Sequence, residues 1–329
     1  MSRLWTRPDW HAQWGYRLPQ VEEHTVYLRH APENWPGATA LFVSDVHLGP
    51  FAGREFARRL AEQMRALEAD LLLLGGDYAE TSANMRFFLE EICAFEAPLG
   101  KFAVQGNNDA QCAQRENLDL PAMMARSGVQ LLVNERAEVR LPGGRILIGG
   151  VDECYFGHPD GRGLFQDARE NDARILLSHY PVRARDGFFG AREAEVVLCG
   201  HTHGGQLNLL GFTPYSIGYE PKACPVEHIK GWRGNVLVSP GIGCSKWPVR
   251  IGARPTSKHS GSSQRSAGAF AEAAVAAKSA SNSSLFIFRW FGGGKCCVGT
   301  KIITKRNFRK LYNETFRFYP VKRPSRACF

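Results

Sequence analysis

The residues that suggest chemistry lie directly after short apolar runs of the sequence. Asp45 and His47 follow the run Ala40–Val43, and Asp77 follows the run Leu71–Leu74. The same pattern recurs three more times and adds Asn107, Asn108, Asp109, His179, His201 and His203. Singly, an Asp after a strand is most often a helix cap or a turn former. The coincidence of all these groups in one ordered series favours a shared site.

Carboxylate, imidazole and amide side chains together form an oxygen and nitrogen ligand set. Such a set suits divalent Mn, Fe, Zn or similar ions, and it lacks the thiolates of a structural zinc site. The candidate ligands are Asp45, His47, Asp77, Asn107, His179, His201 and His203. Because these are too many for one ion, two ions that share a bridging carboxylate fit better, at the roughly 3.5–4 Å separation typical of two-metal phosphoesterases.

The elements that must position these residues follow from the apolar pattern. Two segments, Arg54–Glu68 and Ala83–Phe95, have helical spacing of their apolar residues, and Thr25–Leu28 is a short candidate strand. Continuously apolar runs are typical of buried strands. They are Ala40–Val43, Leu71–Leu74, Phe102–Val104, Ile146–Ile148, Ile175–Leu177, Val196–Leu198 and Val236–Val238. Strands alternating with helices predict an α/β fold, in which chemistry collects at the carboxyl ends of the strands.

Glycines accompany the candidate ligands at several of these strand ends. Gly75 and Gly76 precede Asp77, Gly106 precedes Asn107, and Gly200 precedes His201. A residue without a Cβ atom lets the backbone turn sharply. We therefore expect these glycines to help side chains from different strands converge.

The ordered series resembles the motifs of the calcineurin-like metallophosphoesterases. The matching motifs are Asp-x-His at 45–47, Gly-Asp at 76–77, Gly-Asn-x-Asp at 106–109, a lone His at 179 and Gly-His-x-His at 200–203. The longer motif Gly-His-Thr-His-Gly-Gly-Gln at 200–206 resembles a bacterial phosphodiesterase branch, whose members are often membrane-associated. The resemblance runs from about Thr39 to about Pro255 and implies a two-layer β-sandwich flanked by helices (α/β/β/α), with the metal site at the carboxyl ends of strands.

The resemblance also implies a ligand assignment and a reaction. One ion would be held by Asp45, His47, Asp77 and His203, and the second by Asp77, Asn107, His179 and His201. Asp77 would be the bridge between the two ions. The expected activity is hydrolysis of a phosphodiester or pyrophosphate bond by a metal-bound hydroxide. Mn or Fe would be the expected ions, with Zn, Mg or Ni as alternatives.

Asn108 departs from the family pattern. Many members have a His at this position, where it stabilises the transition state or protonates the leaving group. An amide can donate a hydrogen bond to a phosphoryl oxygen, but it cannot supply a proton near neutral pH. Asp109 is thereby left without the His that it would normally orient. We take Asn108 and Asp109 as the candidate catalytic residues beside the metal ligands.

Charge and composition divide the chain into three predicted parts. Residues 1–36 are an N-terminal extension, residues 37–255 are the metallophosphoesterase-like domain, and residues 256–329 are a tail. Residues 254–329 contain 15 of the 41 Lys and Arg but 2 of the 32 Asp and Glu, so the positive charge is concentrated there. The family pattern requires an apolar final strand soon after residue 255, and the polar stretch Thr256–Ser262 cannot form one. We predict either a shifted reading frame or a disordered basic tail.

Two other function classes stay open. The chain could be a metal-binding scaffold of the same fold, although all seven ligand positions are filled. It could also bind nucleic acid, with Phe286, Phe288, Trp290 and Phe291 stacking on bases and Lys301–Lys310 neutralising phosphates. A phosphodiester or pyrophosphate substrate, lipid- or nucleotide-linked, is the leading expectation.

The remaining expectations concern location. No apolar run reaches the roughly 18–20 residues of a membrane-spanning helix. Nine scattered cysteines without a Cys-x-x-Cys motif favour reduced thiols. We therefore predict a cytoplasmic protein, with peripheral association at the inner membrane face as the second expectation. The sequence predicts no oligomeric state.

Overall fold

The fold is described from a computed structural model. It defines residues 18–32, 34–181, 193–209, 212–215, 226–227, 235–246, 250 and 284–292. Within these ranges the chain forms two six-stranded sheets, a small hairpin, four α-helices and one 3-10 turn.

Four of the seven predicted ligands follow strands of the first sheet. In spatial order its strands are β1 (Gln20–Leu28), β14 (Ser284–Gly292), β2 (Ala38–Val43), β3 (Leu71–Leu74), β4 (Gly100–Ala103) and β5 (Gln130–Leu131). Strands β2 to β5 are parallel, and β14 runs antiparallel to β2 and parallel to β1. The carboxyl ends of β2, β3 and β4 therefore meet at one edge of this sheet.

The other three predicted ligands follow strands of the second sheet. Its strands are β12 (Val226–Glu227), β13 (Asn235–Val238), β9 (Val196–Cys199), β8 (Asp172–Ser178), β7 (Gly144–Gly150) and β6 (Glu135–Leu141). Strands β7, β8, β9 and β13 are parallel, whereas β6 and β12 pair antiparallel at the two edges. A separate hairpin joins β10 (Leu207–Leu209) to β11 (Phe212–Tyr215), directly after the 3-10 turn His203–Gly205.

Alternation along the strands explains why the apolar runs are continuous. On β3, Leu71 and Leu73 belong to the core between the two sheets, whereas Leu72 and Leu74 belong to the core under the helices. On β8, Ile175 lies in the core between the sheets and Leu176 lies on the outer face. Both faces of each sheet are thus buried, which requires apolar residues at successive positions.

The helices pack on the outer face of the first sheet. They are α1 (Arg54–Ala66), α2 (Ser82–Cys93), α3 (Asn107–Glu116) and α4 (Leu120–Arg126). Helix α1 buries Phe56, Leu60 and Met64 at helical spacing, and α2 is capped by the Thr81 hydroxyl, which accepts from the Asn84 backbone N–H. Within the described ranges the outer face of the second sheet is covered by the segment that includes Phe165.

The predicted fold class is therefore confirmed as an α/β two-layer sandwich with helices. Each of the seven predicted strands overlaps an observed strand, and both predicted helices are present. Thr25–Leu28 is the second part of the longer strand β1. The sequence did not predict α3 and α4, because their short apolar faces lack the periodicity of α1.

Two strands of the first sheet lie outside the predicted domain of residues 37–255. Both β1 and β14 belong to the first sheet, where Ser284–Gly292 lies between β1 and β2. The prediction required the last strand to follow residue 255 closely, but loop-closure cost rises only slowly with loop length. An apolar strand therefore does follow residue 255, at Ser284–Gly292, whereas the hypothesis of a shifted reading frame stays a prediction.

Two aromatic residues of this strand are not available for nucleic acid. Phe288 and Trp290 are fully buried in the core between the sheets. They therefore cannot stack on bases, so the prediction is wrong for these two residues, and nucleic-acid binding through the tail stays a prediction. Residues 1–17, 251–283 and 293–329, including the basic stretch Lys301–Lys310, lie outside the described residues.

Two expectations about location can be compared with the described residues. Among their helices, none is long and apolar enough to cross a membrane. Cys112, Cys154, Cys199 and Cys244 are free thiols, but Cys93 is disulfide-bonded. The prediction of reduced thiols is therefore wrong for Cys93, since cysteine counts alone cannot identify a pair brought together by the fold.

The membership of β14 in the core is testable by truncating Trp290. Trp290→Ala should lower the free energy of unfolding by about 3–5 kcal/mol, because a large buried side chain is removed. The control is Tyr27→Ala, whose side chain is half exposed on β1, with an expected change within about 0.5 kcal/mol. Urea unfolding measures both. An unchanged stability for Trp290→Ala would place residues 284–292 outside the core.

Candidate metal centre

The strand ends of the two sheets bring the predicted ligands together. Asp45 and His47 follow β2, Asp77 follows β3, His179 follows β8, and His201 and His203 follow β9. Two groups result, in each of which the potential ligand atoms lie within 4.8 Å of one another. The first consists of Asp45, His47 and His203, and the second of Asp77, His179 and His201. All six side chains are buried.

Asp77 lies between the two groups. Its Oδ2 atom is 3.5 Å from Nε2 of His47 in the first group and 3.5 Å from Nε2 of His179 in its own. The first group is closed by His203, whose Nε2 lies 3.0 Å from Nε2 of His47 and 3.4 Å from Oδ1 of Asp45. One carboxylate therefore contacts both candidate metal sites.

Asn107 reaches the second group through Tyr180. The Tyr180 hydroxyl donates to Oδ1 of Asn107 at 3.3 Å. The Tyr180 ring also covers His201, with ring centroids 3.9 Å apart. The structure thus brings Asn107 to the same end of the site as His179 and His201.

Backbone strain concentrates on the predicted ligands. Asp45, His47, Asp77, His201 and His203 all have left-handed backbone conformations, with φ between +47° and +69°. This region is uncommon for residues other than Gly, and it costs of order 1–3 kcal/mol at each position. Such strain persists only where surrounding packing enforces it, and it is typical of functional sites.

The neighbouring glycines provide space more than they provide turns. Gly76 alone among the four predicted glycines has a positive φ, of +95°. A Cβ atom on Gly106 would lie 2.2 Å from Oδ1 of Asp77, and one on Gly200 would lie 2.4 Å from Oδ2 of Asp45. These glycines therefore allow the ligand carboxylates to approach the backbone of the next strand end.

Asp109 fixes the backbone around Asp77. Its buried carboxylate accepts from the backbone N–H groups of Asp77 at 2.6 Å, Tyr78 at 2.9 Å and Gly106 at 2.9 Å. These bonds tie the loop after β3 to the start of α3. Burial and the charge of Asp77 raise the pKa of Asp109 to about 7, although the three donors act in the opposite direction. The structure gives Asp109 a positioning role, and contact with a substrate stays a prediction.

Asn108 binds the carboxylate of Asp77 directly. Its backbone N–H donates to Oδ1 at 2.9 Å, and its side-chain Nδ2 donates to Oδ2 at 2.7 Å. Both carboxylate oxygens of Asp77 are thereby oriented by one residue. The predicted hydrogen bond from Asn108 to a phosphoryl oxygen stays a prediction.

The histidines of the second group have the features of metal ligands. Nδ1 of His179 lies 2.7 Å from the carbonyl oxygen of Gly75, which can only accept, so Nδ1 carries the proton. Both ring nitrogens of His201 are buried without a hydrogen-bond partner in the described part of the chain, and Nε2 of His179 also lacks one, although it lies 3.5 Å from Oδ2 of Asp77. Buried unpaired nitrogens are costly, and a bound cation would satisfy them. The residues present therefore fit a metal ion.

Electrostatic interactions shift the pKa values of His179 and His201 in opposite directions. Burial raises the pKa of Asp77, but the interactions with His179, His47 and His201 together outweigh burial and hold that pKa well below its usual range. Burial lowers the pKa of His179, but the Asp77 carboxylate, the Asp45 charge and the Gly75 carbonyl together raise that pKa to about 10. Burial and the charge of His179 lower the pKa of His201 to about 3. His201 is thus in the neutral form that binds metals, whereas metal binding at His179 releases a proton.

Arg250 supports the first group and was missed by the sequence reasoning. Its Nη2 lies 2.9 Å from Nδ1 of His203, and its Nη1 donates to the carbonyl oxygen of Pro240 at 2.6 Å. Its Nε donates to the carbonyl oxygen of Gly243 at 2.7 Å. The Gly243 backbone N–H in turn donates to the carbonyl oxygen of Asp45 at 2.6 Å. Only spatial proximity shows this role, because nothing local in the sequence connects residue 250 with residue 203.

The positioning role of Asp109 is testable through stability. Asp109→Ala removes the acceptor of three buried N–H groups, so unfolding free energy should fall by at least about 3 kcal/mol. The control is Asp119→Ala, which removes the exposed cap of α4 and one bond to Ala122, at a cost of about 1 kcal/mol. Urea unfolding in metal-free buffer compares the two. Equal losses would show that the Asp109 bonds do not hold the loop.

Comparison with known proteins gives the family of this chain. The model of the calcineurin-like phosphoesterase family matches residues 38–205, just over half of the 329 residues. An uncharacterized Bacillus subtilis protein, YpbG, is 31% identical over 228 residues, which cover 67% of this chain and 79% of that protein. An uncharacterized metallophosphoesterase of Aquifex aeolicus is 28% identical over 239 residues, covering 70% of this chain and 87% of its own.

Two further similarities are to zebrafish proteins. A zebrafish transmembrane protein with a metallophosphoesterase domain is 27% identical over 247 residues, or 72% of this chain, and this chain spans 55% of its length. The crystal structure of a dimetal phosphatase from Danio rerio aligns with 62% of this chain and 88% of its own, at 11% identity and a TM-score of 0.38. The family match, residues 38–205, contains all the residues of the two ligand groups. The chain belongs to the calcineurin-like phosphoesterase family.

Proposed function

We propose that this protein is a two-metal phosphohydrolase that cleaves phosphodiester or pyrophosphate bonds. The family shows a metallophosphoesterase, and the two ligand groups indicate a dimetal centre. One observation carries the proposal: Oδ2 of Asp77 lies 3.5 Å from a histidine nitrogen of each group. A carboxylate shared in this way is what two adjacent ions require.

The ligand assignment follows from the two groups. Asp45, His47 and His203 would hold one ion and Asn107, His179 and His201 the other, with Asp77 common to both. The donors are oxygen and nitrogen, which favours Mn or Fe and leaves Zn, Mg or Ni as alternatives. Bound ions of this kind lower the pKa of water and polarise phosphoryl oxygens.

The chain itself prepares the site for this chemistry. Asn108 holds both oxygens of Asp77, and Asp109 fixes the backbone on which Asp77 lies. The Tyr180 hydroxyl orients the amide of Asn107. A site whose ligands are fixed before the substrate arrives avoids reorganisation during the reaction.

Asn108 supports the choice of bond. During hydrolysis the oxygen of a water molecule bonds to phosphorus, and the leaving oxygen departs with the electron pair of the broken P–O bond. Because an amide cannot protonate that oxygen near neutral pH, the rate should depend on how stable the leaving group is as an anion. Pyrophosphates and activated diesters satisfy this requirement better than simple alkyl esters.

Substrate source and location are part of the proposal. Lipid- and nucleotide-linked diesters or pyrophosphates both fit the site's chemistry. We include in the proposal a cytoplasmic location with peripheral contact at the inner membrane face, and the resemblance to a branch that is often membrane-associated supports the membrane contact. Phosphatase activity measured with and without membranes would separate a lipid-linked substrate from a nucleotide-linked one.

The bridging role of Asp77 gives a direct test. Asp77→Ala should lower turnover of bis(p-nitrophenyl) phosphate with Mn²⁺ by several orders of magnitude, because both ions lose a ligand and their mutual repulsion is less screened. Bound metal, measured by elemental analysis, should fall in parallel. The control is Glu55→Ala on the exposed face of α1, which should behave as wild type. Near-normal turnover by Asp77→Ala would contradict the binuclear assignment.

The two-group assignment predicts different effects for two histidines of one motif. His201→Ala should weaken the ion at Asn107 and His179, whereas His203→Ala should weaken the ion at Asp45 and His47. Titration with Mn²⁺ followed by calorimetry should show loss of a different binding step in each variant. Titrations that cannot be distinguished would count against the division.

The role of Asn108 is tested with a leaving-group series. For wild type, the logarithm of the rate should fall steeply as the pKa of the leaving alcohol or phenol rises. In Asn108→His, an imidazole can protonate the leaving oxygen, so the slope should flatten. Asn108→Gln keeps the amide and serves as the control with a steep slope. A flat wild-type series would reveal a different acid.

A further inference from the structure

Two exposed aromatic side chains lie beside the metal centre without a role in it. Tyr155 is 54% exposed and Phe156 is 50% exposed. The Tyr155 ring lies 5.3 Å from the ring of Tyr180 and 6.3 Å from the ring of His201, measured between centroids. Tyr155 is therefore the outermost of three consecutive rings that lead from the second ligand group to solvent.

The backbone that carries these rings is held by a buried carboxylate. Glu153 is fully buried, and its side chain accepts from the backbone N–H groups of Tyr155, at 2.7 Å, and of Phe156. A buried carboxylate is costly unless it is hydrogen-bonded, and here its two oxygens are used to orient this turn. The aromatic residues are thus held in a defined position in spite of their exposure.

The same loop is joined to the metal centre by Asp152. Oδ1 of Asp152 accepts from Nε2 of Gln105 at 2.6 Å, and Gln105 directly precedes the Gly106 strand end. Oδ2 of Asp152 accepts from the backbone N–H of His158 at 2.9 Å, which closes the loop. The loop and the metal site are therefore linked, so their separation is fixed before a substrate binds.

We infer that Tyr155, with Phe156 beside it, forms a stacking subsite for a planar ring of the substrate, namely the base of a nucleotide-linked phosphodiester or pyrophosphate. The inference rests on the proposed function, since it names the group attached to the phosphate. Tyr155 meets Tyr180 at 64°, so the two faces are not stacked on each other and a face of Tyr155 is available. Stacking is tolerant of base identity and uses exposed aromatic faces of this kind.

A planar ring fits this surface better than an acyl chain does. An acyl chain gains most from a closed, aliphatic groove, because the gain follows the apolar area removed from water. The subsite is instead an open aromatic rim, half exposed and one ring away from His201. The base and the 5′-phosphate of one nucleotide could contact Tyr155 and the metal centre at the same time.

The test compares two substrates that share the same scissile bond and leaving group. Thymidine 5′-(p-nitrophenyl phosphate) carries a base on the group that is retained, whereas methyl p-nitrophenyl phosphate does not. The quantity measured is the ratio of their kcat/KM values with Mn²⁺-loaded protein. Tyr155→Ala should lower this ratio by roughly 5- to 150-fold, and Tyr155→Trp should keep it within about threefold.

Two further variants make the result specific. Tyr155→Leu keeps an apolar side chain without a flat ring, so the ratio should fall as in Tyr155→Ala. Tyr27→Ala is the matched control, because Tyr27 is 51% exposed but lies near the end of β1, which runs antiparallel to β2 and so ends away from the metal groups. A ratio that is unchanged in Tyr155→Ala, or retained in Tyr155→Leu, would overturn the inference.

A binding measurement separates failure of the subsite from failure of the proposed function. If wild type hydrolyses neither ester, the proposed function fails, and the subsite is judged by calorimetry with adenosine 5′-monophosphate and ribose 5-phosphate. Preference for the nucleotide that is lost in Tyr155→Ala supports the subsite. Equal binding of the two, or tighter binding of octyl phosphate than of the nucleotide, overturns it.

Discussion

The position of one buried carboxylate, that of Asp77, determines the geometry of the whole site. It lies at the end of β3 with a left-handed backbone, 3.5 Å from a histidine on each side. A charge held at such short distances from several imidazoles must be fixed, because a small displacement would separate the two ligand groups. Asn108 fixes its oxygens and Asp109 fixes its backbone, so the carboxylate is held from two directions.

The two-sheet sandwich brings the ends of the ligand-bearing strands together. Parallel strands β2, β3 and β4 of the first sheet and β8 and β9 of the second end on the same side, and the apolar core between them includes Leu71, Ile175 and Trp290. Packing of that core offsets the unfavourable backbone of five ligand residues. Stability and function are thus connected, since the strained turns persist only while the two sheets stay packed.

Much of this arrangement could be predicted from the sequence, and the remainder has identifiable physical causes. Apolar runs that end in Asp, Asn or His indicated the strands, the fold class and the candidate ligands that lie together, because period and residue type are local properties. The place of β14 was not predictable, since nothing local shows which strand a distant apolar segment will pair with. The contacts of Arg250 with His203, and of Glu153 with Tyr155, likewise depend on how the loops fold back in space.

Anomalous diffraction from crystals grown with Mn²⁺ tests the central claim most directly, namely that Asp77 joins two adjacent metal sites. The account predicts two anomalous peaks separated by roughly 3.5–4 Å. One should lie among Asp45, His47 and His203 and the other among Asn107, His179 and His201, each within bonding distance of Asp77. A single peak, or two peaks of which one does not contact Asp77, would contradict the account.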